Sequence, residues 1–154
     1  MIKIMFVCHG NICRSPMAEF IMKELVKSKG LEKDFYIASA ATSTEEIGNP
    51  VYPPVRRILN ERGIDCSAKK AVQVKKSDYN DFDYLICMDR NNIRNISRIT
   101  GPDIQNKIHL LLDYTSSPGD VADPWYTGDF TTALMDIEKG CNGFLGYIKN
   151  KNSR

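Results

Sequence analysis

A thiol and a guanidinium stand six residues apart in Val7-Cys8-His9-Gly10-Asn11-Ile12-Cys13-Arg14-Ser15. The stretch follows the apolar run of residues 2–7 and precedes an amphipathic helical pattern. A tight loop that opens a helix presents backbone N–H groups, which favour a bound anion. The same groups favour a thiolate, so Cys8 is expected to be ionised at neutral pH. Arg14 carries a fork suited to two equatorial oxygens of a phosphoryl group. Gly10 tolerates positive φ, and Asn11 is the next best residue type for it. Ser15 is placed to donate to the Cys8 sulfur and stabilise it as a leaving group. The candidate phosphate-binding loop is therefore Cys8, His9, Gly10, Asn11, Ile12, Cys13, Arg14 and Ser15. A Cys and an Arg at this spacing occur by chance in roughly one such chain in four. The strand before the loop, the Gly-Asn inside it and the Ser-Pro helix start after it make the pattern specific. The competing reading is a buried structural cysteine beside a surface arginine.

Displacement of an alcohol or phenol by a thiolate also needs a proton for the departing oxygen. Asp123 in Ala122-Asp123-Pro124-Trp125-Tyr126 is the candidate, an acid on a Pro-bounded loop beside two aromatics. General acid catalysis of this kind contributes about 10²–10⁴-fold. Alone, Asp-Pro would read as a surface turn; beside an anion loop it reads as the acid.

These residues must be carried by alternating strands and helices. Strands are predicted at residues 3–7, 35–38, 84–88 and 107–111, from apolar runs bounded by turn residues. A first helix begins with Ser15 as its cap and Pro16 in its first turn, shows Met17, Phe20, Ile21 and Leu25 as its apolar stripe, and closes at Gly30. A second starts at Pro53-Pro54 and ends at Gly63, with Val55, Ile58 and Leu59 on one face. Residues 75–80 predict one helical turn and residues 91–99 a helix stopped by Gly101-Pro102. Residues 113–128 form a loop rich in Pro, Gly, Ser and Asp. A last helix covers residues 130–150, and the tail at 149–154 is expected to fray. Strands separated by helices imply a parallel sheet covered on both faces. Ligands then bind beyond the carboxyl ends of the strands, where Cys8 falls.

Composition narrows the function classes. With 154 residues, 42% hydrophobic and 26% charged, residues 1–154 suit one soluble domain. A net charge of +2 is too small to suggest nucleic acid or an anionic membrane. The opening apolar run is too short for a secretory leader and no stretch reaches the length of a membrane span. Five cysteines, an odd number without a leader, point to reduced thiols in a cytoplasm. No CxxC is present and the histidines are His9 and His109, so no metal site is expected.

The chain resembles the low-molecular-weight protein tyrosine phosphatases. The loop from Cys8 to Ser15, Ser39-Ala40-Ala41-Thr42-Ser43, Asp83-Tyr84-Leu85-Ile86-Cys87-Met88-Asp89 and Asp123-Pro124-Trp125-Tyr126 match that family in order and spacing. The resemblance implies an α/β, single-domain, doubly wound (flavodoxin-like) three-layer sandwich with a four-stranded parallel sheet. It implies a two-step hydrolysis without cofactor. Cys8 attacks phosphorus, Arg14 and loop amides hold the oxygens, and Asp123 protonates the leaving group and then activates water. It further implies that Asn11 shapes the loop through polar neighbours such as Ser39, and that Cys13 can form a reversible disulfide with Cys8 that protects it from over-oxidation.

Several positions depart from the family. Glu45 stands where Trp or Tyr is usual on the cleft wall, which removes a stacking surface and repels acidic substrates. Tyr52 and Pro54 replace a commoner Asp-Pro-Arg-like sequence. Lys69 takes the place of a frequent histidine near the Asn11 network. Trp125 precedes Tyr126 where two tyrosines are common; both are read as cleft walls, against simple loop packing.

Three rival functions remain. A thiol-dependent arsenate reductase needs two further cysteines close together, which Cys66, Cys87 and Cys141 do not provide by position. Protein-arginine phosphatases usually carry Thr where Ile12 stands. A non-catalytic phosphate-binding module has no need of both Cys8 and Asp123. His9 reads as a loop-edge side chain, His109 as packed beside its strand, Asp89 as a support for the loops, and Lys69, Lys70, Lys75 and Lys76 as a solvated face. The expected activity is hydrolysis of phosphotyrosine in a protein, or of a small aryl phosphate. The expected enzyme is a cytoplasmic monomer, with weak dimerisation as the alternative, and has no nucleic-acid or membrane partner.

Overall fold

The computed structural model describes residues 1–152. Four parallel strands, β1 (Ile2–Cys8), β2 (Phe35–Ala41), β3 (Tyr84–Cys87) and β4 (Ile108–Leu110), pair in the order β2-β1-β3-β4. Along β1 the side chains alternate between two cores. Ile4, Phe6 and Cys8 join one, and Met5 and Val7 join the other. Because both faces are covered, the strand is a continuous apolar run rather than an alternating one. Helices α1 (Arg14–Ser28), α2 (Pro53–Glu61) and α6 (Phe130–Asn152) supply the first core, and α3 (Asp78–Asp81) and α4 (Arg90–Thr100) contribute to the second. The result is the parallel sheet covered on both faces that the alternation implied, in the three-layer, doubly wound form that the resemblance implied.

In this order the chain leaves β1 for β2 on one side and later crosses to β3 on the other. The crevice beyond the carboxyl end of β1 is thus the switch point, where α/β sheets bind ligands. Cys8 is the last residue of β1, paired with Ala41 at the end of β2. The far side of the first core is held by close approach of α6. A side chain on Gly140 would run into Leu111, and one on Gly143 into the Tyr114 carbonyl. Phe144 fills the space between, edge-on to Phe6 and Tyr84 with ring centroids 6.5 and 5.2 Å apart.

The structure shifts several predicted features. Strand β2 runs to Ala41 instead of residue 38, since every residue from Phe35 onward has a partner in β1; its small residues Ser39, Ala40 and Ala41 disguised it as loop. Ser15 is not the cap of α1. Cys13 occupies that position without a side-chain cap, and Ser15 lies buried in the first turn. The stripe of α1 is rotated: Met17, Ala18, Ile21, Met22 and Val26 are buried, while Phe20 and Leu25 are half-buried. The first turn sits beneath the loop and is buried on all sides, so its pattern does not mark one face.

The turn predicted at residues 75–80 falls at α3, because the Asp78 carboxylate accepts from the Lys75 N–H at 2.7 Å and closes the preceding turn itself. Residues 149–152 continue α6 rather than fraying, and residues 153–154 of the predicted tail lie outside the described residues. A short helix, α5 (Pro124–Thr127), appears inside the predicted loop 113–128. Among the described residues no helix is long and apolar enough to cross a membrane.

Candidate active site

The loop after β1 wraps around the Cys8 sulfur. The Asn11 N–H points at Sγ from 3.3 Å, and Ser15 Oγ lies 3.0 Å away. The left-handed position that permits this turn is Asn11, at φ 60°, and not Gly10. A Cβ on Gly10 would make only ordinary contact with the Glu46 side chain, at 3.4 Å.

Asn11 is buried and anchors the loop through both ends of its amide. Its Nδ2 donates to Ser15 Oγ at 2.8 Å and to Ser39 Oγ at 2.9 Å, and its Oδ1 accepts from the Val72 N–H at 3.1 Å. Ser39 Oγ in turn donates to Glu19 at 2.5 Å. The direction of the chain follows. Glu19 takes the Ser39 proton, so Ser39 accepts from Asn11; Asn11 fills an acceptor site of Ser15, whose own proton is left for Cys8. Lys69 closes the far end, donating to the Ser39 carbonyl at 2.9 Å and lying 3.8 Å from Glu19. Lys69 is therefore not part of a solvated face with Lys70, Lys75 and Lys76, which are exposed. Burial holds the Lys69 ammonium below its ordinary pKa, and Glu19 opposes that shift.

Arg14 is buried under the cleft with its fork fixed. Its Nη1 donates to Asp89 at 2.7 Å and to the Val121 carbonyl at 2.8 Å, and its Nη2 reaches Asp123 at 3.3 Å. Burial pulls the guanidinium pKa down, but Cys8, Asp123 and Asp89 outweigh it and the group stays charged. Asp89 is itself fixed: it caps α4 in a reciprocal pairing with Asn92. Asp123 caps α5 through Oδ1 and the Trp125 N–H at 3.0 Å, which leaves Oδ2 directed at Arg14. Cys8, Arg14 and Asp123 therefore meet at one point, drawn from the ends of β1, α1 and the loop before α5.

The remaining predicted residues line a cleft of about 110 Å³ above them. Trp125 and Tyr126 form one wall; Trp125 packs against Tyr52 with ring centroids 4.9 Å apart. Glu45 also lines the cleft, 2.9 Å from His9 Nε2 at the loop edge. Ile12 and Cys13 are buried in the loop. Burial, then the negative charges at Cys8 and Asp123, push the Cys13 thiol up to about 12. Cys66, Cys87 and Cys141 are buried and do not line the cleft.

Sequence reasoning missed Glu19, Glu46 and the Val121 carbonyl. Glu19 had a signal, since Ser15, Glu19 and Lys23 form an i, i+4 polar row through an apolar helix. Glu46 and Val121 had none, because a half-buried loop acid and a backbone carbonyl carry no pattern.

With this geometry in view, the likenesses are informative. Residues 3–154 match the family described as low molecular weight phosphotyrosine protein phosphatase. The low molecular weight protein-tyrosine-phosphatase YfkJ of Bacillus subtilis is 42% identical over 153 residues, covering 98% of this chain and 98% of that one. The crystal structure of YfkJ aligns with a TM-score of 0.94 at 41% identity over 98% of this chain and 96% of that chain. SP-PTP, the low molecular weight protein tyrosine phosphatase of Streptococcus pyogenes, gives a TM-score of 0.84 at 41% identity over 96% and 93%. A Drosophila arginine phosphatase gives 0.85 at 30% identity over 96% and 98%. The match spans the loop, the capped Asp89 and the Asp123 turn together, and the chain belongs to the low molecular weight phosphotyrosine protein phosphatase family.

Proposed function

We propose that the protein hydrolyses phosphotyrosine and other aryl phosphate monoesters through a cysteinyl-phosphate intermediate. The observation that carries this reading is the meeting of Cys8, a fork-pinned Arg14 and the Asp123 oxygen that faces it under one cleft. In the first step the Cys8 sulfur bonds to phosphorus and the bond to the aryl oxygen breaks. Asp123 gives its proton to that oxygen. Arg14 and the loop amides hold the equatorial oxygens, where charge builds. The arriving dianion also takes over the Arg14 nitrogen that Asp123 contacts, which frees the carboxyl to face the leaving group. In the second step water attacks phosphorus, its proton passes to Asp123, and the sulfur leaves as a thiolate steadied by Ser15.

Every step uses side chains of residues 1–154, which act as one catalytic domain and need no cofactor. The substrate is a phosphotyrosine-bearing protein or a small aryl phosphate. Five free thiols suit a reducing cytoplasm, and the proposed state is a monomer. Ile12 in the loop supports an aryl ester over a phosphorylated guanidinium. Peroxide would convert Cys8 to a sulfenic acid, and the neutral Cys13 thiol would condense with it to a disulfide, releasing water.

Hydrolysis of p-nitrophenyl phosphate with EDTA present tests the reading. Turnover in the parent is expected to vanish in Cys8→Ser and to fall about 10²–10⁴-fold in Asp123→Asn. A reduced parent without turnover would overturn it.

A further inference from the structure

The mouth of the cleft is acidic and held in place. Among the described residues that line it, Arg14 is the sole lysine or arginine, and its charge already faces Asp89 and Asp123. Glu45 and Glu46 add two carboxylates to the lining that Trp125 and Tyr126 share. They are not on a loose loop. Thr42 and Ser43 donate backbone N–H groups to the Cys8 and His9 carbonyls at 3.0 and 3.1 Å, and Gly48 and Asn49 pair with Ala71 at 2.9 Å each way. Glu46 accepts from Asn49 at 2.6 Å, and Glu45 is clamped by His9 at 2.9 Å. The floor can hold a phosphoryl dianion through amides and the Arg14 fork. The residues flanking the phosphorylated side chain must pass the rim, where they meet negative charge.

The geometry points to Glu45, positioned by His9 and reinforced by Glu46, as the determinant of peptide preference. It selects phosphotyrosines flanked by lysine or arginine and disfavours those flanked by acids. This rests on the phosphatase reading and names the substrate class for it. Two exposed unit charges about 6 Å apart in solvent interact weakly, so each rim acid is expected to change kcat/KM about two- to fourfold per flanking charge. The preference should shrink as salt screens the rim.

Two phosphotyrosine peptides that differ only in arginine or glutamate neighbours test it, with p-nitrophenyl phosphate measured beside them. With two rim acids acting on a difference of two charge units, the parent should favour the arginine peptide by more than about tenfold in kcat/KM. Glu45→Gln/Glu46→Gln, which keeps the hydrogen-bond acceptors, should bring the ratio to about one, and Glu45→Lys should invert it. A parent ratio at or below about one, with p-nitrophenyl phosphate still hydrolysed, overturns the specificity inference and leaves the phosphatase reading standing. Failure of all three substrates overturns the phosphatase reading and this inference with it.

Discussion

At the floor of the cleft Asn11, Arg14, Ser15 and Ser39 are buried and each meets a polar partner, whereas at its mouth Trp125 and Tyr126 are 52% and 83% exposed. The contrast follows from solvation. A buried polar group without a partner costs about 1–3 kcal/mol, so the floor is stable only when its network is complete. At the mouth, water can replace any contact that is lost, and single residues can change with little effect on folding. Chemistry that requires fixed geometry therefore belongs to the floor. Discrimination among substrates belongs to the rim.

The comparison is most exposed to failure at Arg14. Arg14→Lys keeps the charge but loses the fork that contacts Asp89, Val121 and Asp123, and kcat is expected to fall about 10²–10³-fold. Activity within a fewfold of the parent would show that charge alone suffices. Ser39→Ala should lower stability by about 1–3 kcal/mol in urea unfolding, because Asn11 and Glu19 each lose a buried partner. It should also slow turnover about tenfold by loosening the Ser15 proton. A smaller effect is expected at the mouth: Trp125→Ala should raise KM for an aryl phosphate a fewfold and leave unfolding within about 0.5 kcal/mol. If its effects matched those of Ser39→Ala, the division between floor and mouth would be lost.

Alkaline pH separates the buried thiols from the rest. Cys13 is pushed up to about 12, and burial raises Cys87 and Cys141 as well. The unfolded chain releases these protons above its ordinary thiol pKa of 9.0 while the folded chain keeps them, so stability should fall as pH rises beyond that point. Urea midpoints on either side of the thiol range should show the fall, and Cys13→Ala should flatten it by about 1 kcal/mol per pH unit. An unchanged slope in Cys13→Ala would show that its thiol titrates normally.

The floor and the mouth also differed in what the sequence made legible. Cys8, Arg14 and Asp123 were legible because a strand end, a Gly-Asn turn, a helix start and an Asp-Pro turn each leave a local pattern. Alternation alone made a parallel sheet covered on both faces legible, whereas the order β2-β1-β3-β4 came only from the structure. Ser15 lies beside the sulfur as its type and place suggest, but not at the helix cap, because α1 starts at Arg14 and puts Ser15 inside the first turn. The end of β2 was missed because small residues pair as well as β-branched ones when both neighbours are fixed. For Lys69 the family resemblance pointed to the Asn11 network, while the solvated-face reading failed because its long side chain reaches back to Ser39 across 30 residues, a contact no local window contains. Glu46 was legible only once residues 42–49 were seen folded over the loop.

The most direct test is to quench the reaction of Asp123→Asn with p-nitrophenyl phosphate in acid and map phosphate by mass spectrometry. Slowed breakdown should leave phosphate on the Cys8 sulfur, and Cys8→Ser should carry none. Phosphate on another residue, or none trapped while p-nitrophenol is released in a burst, would contradict a cysteinyl-phosphate route.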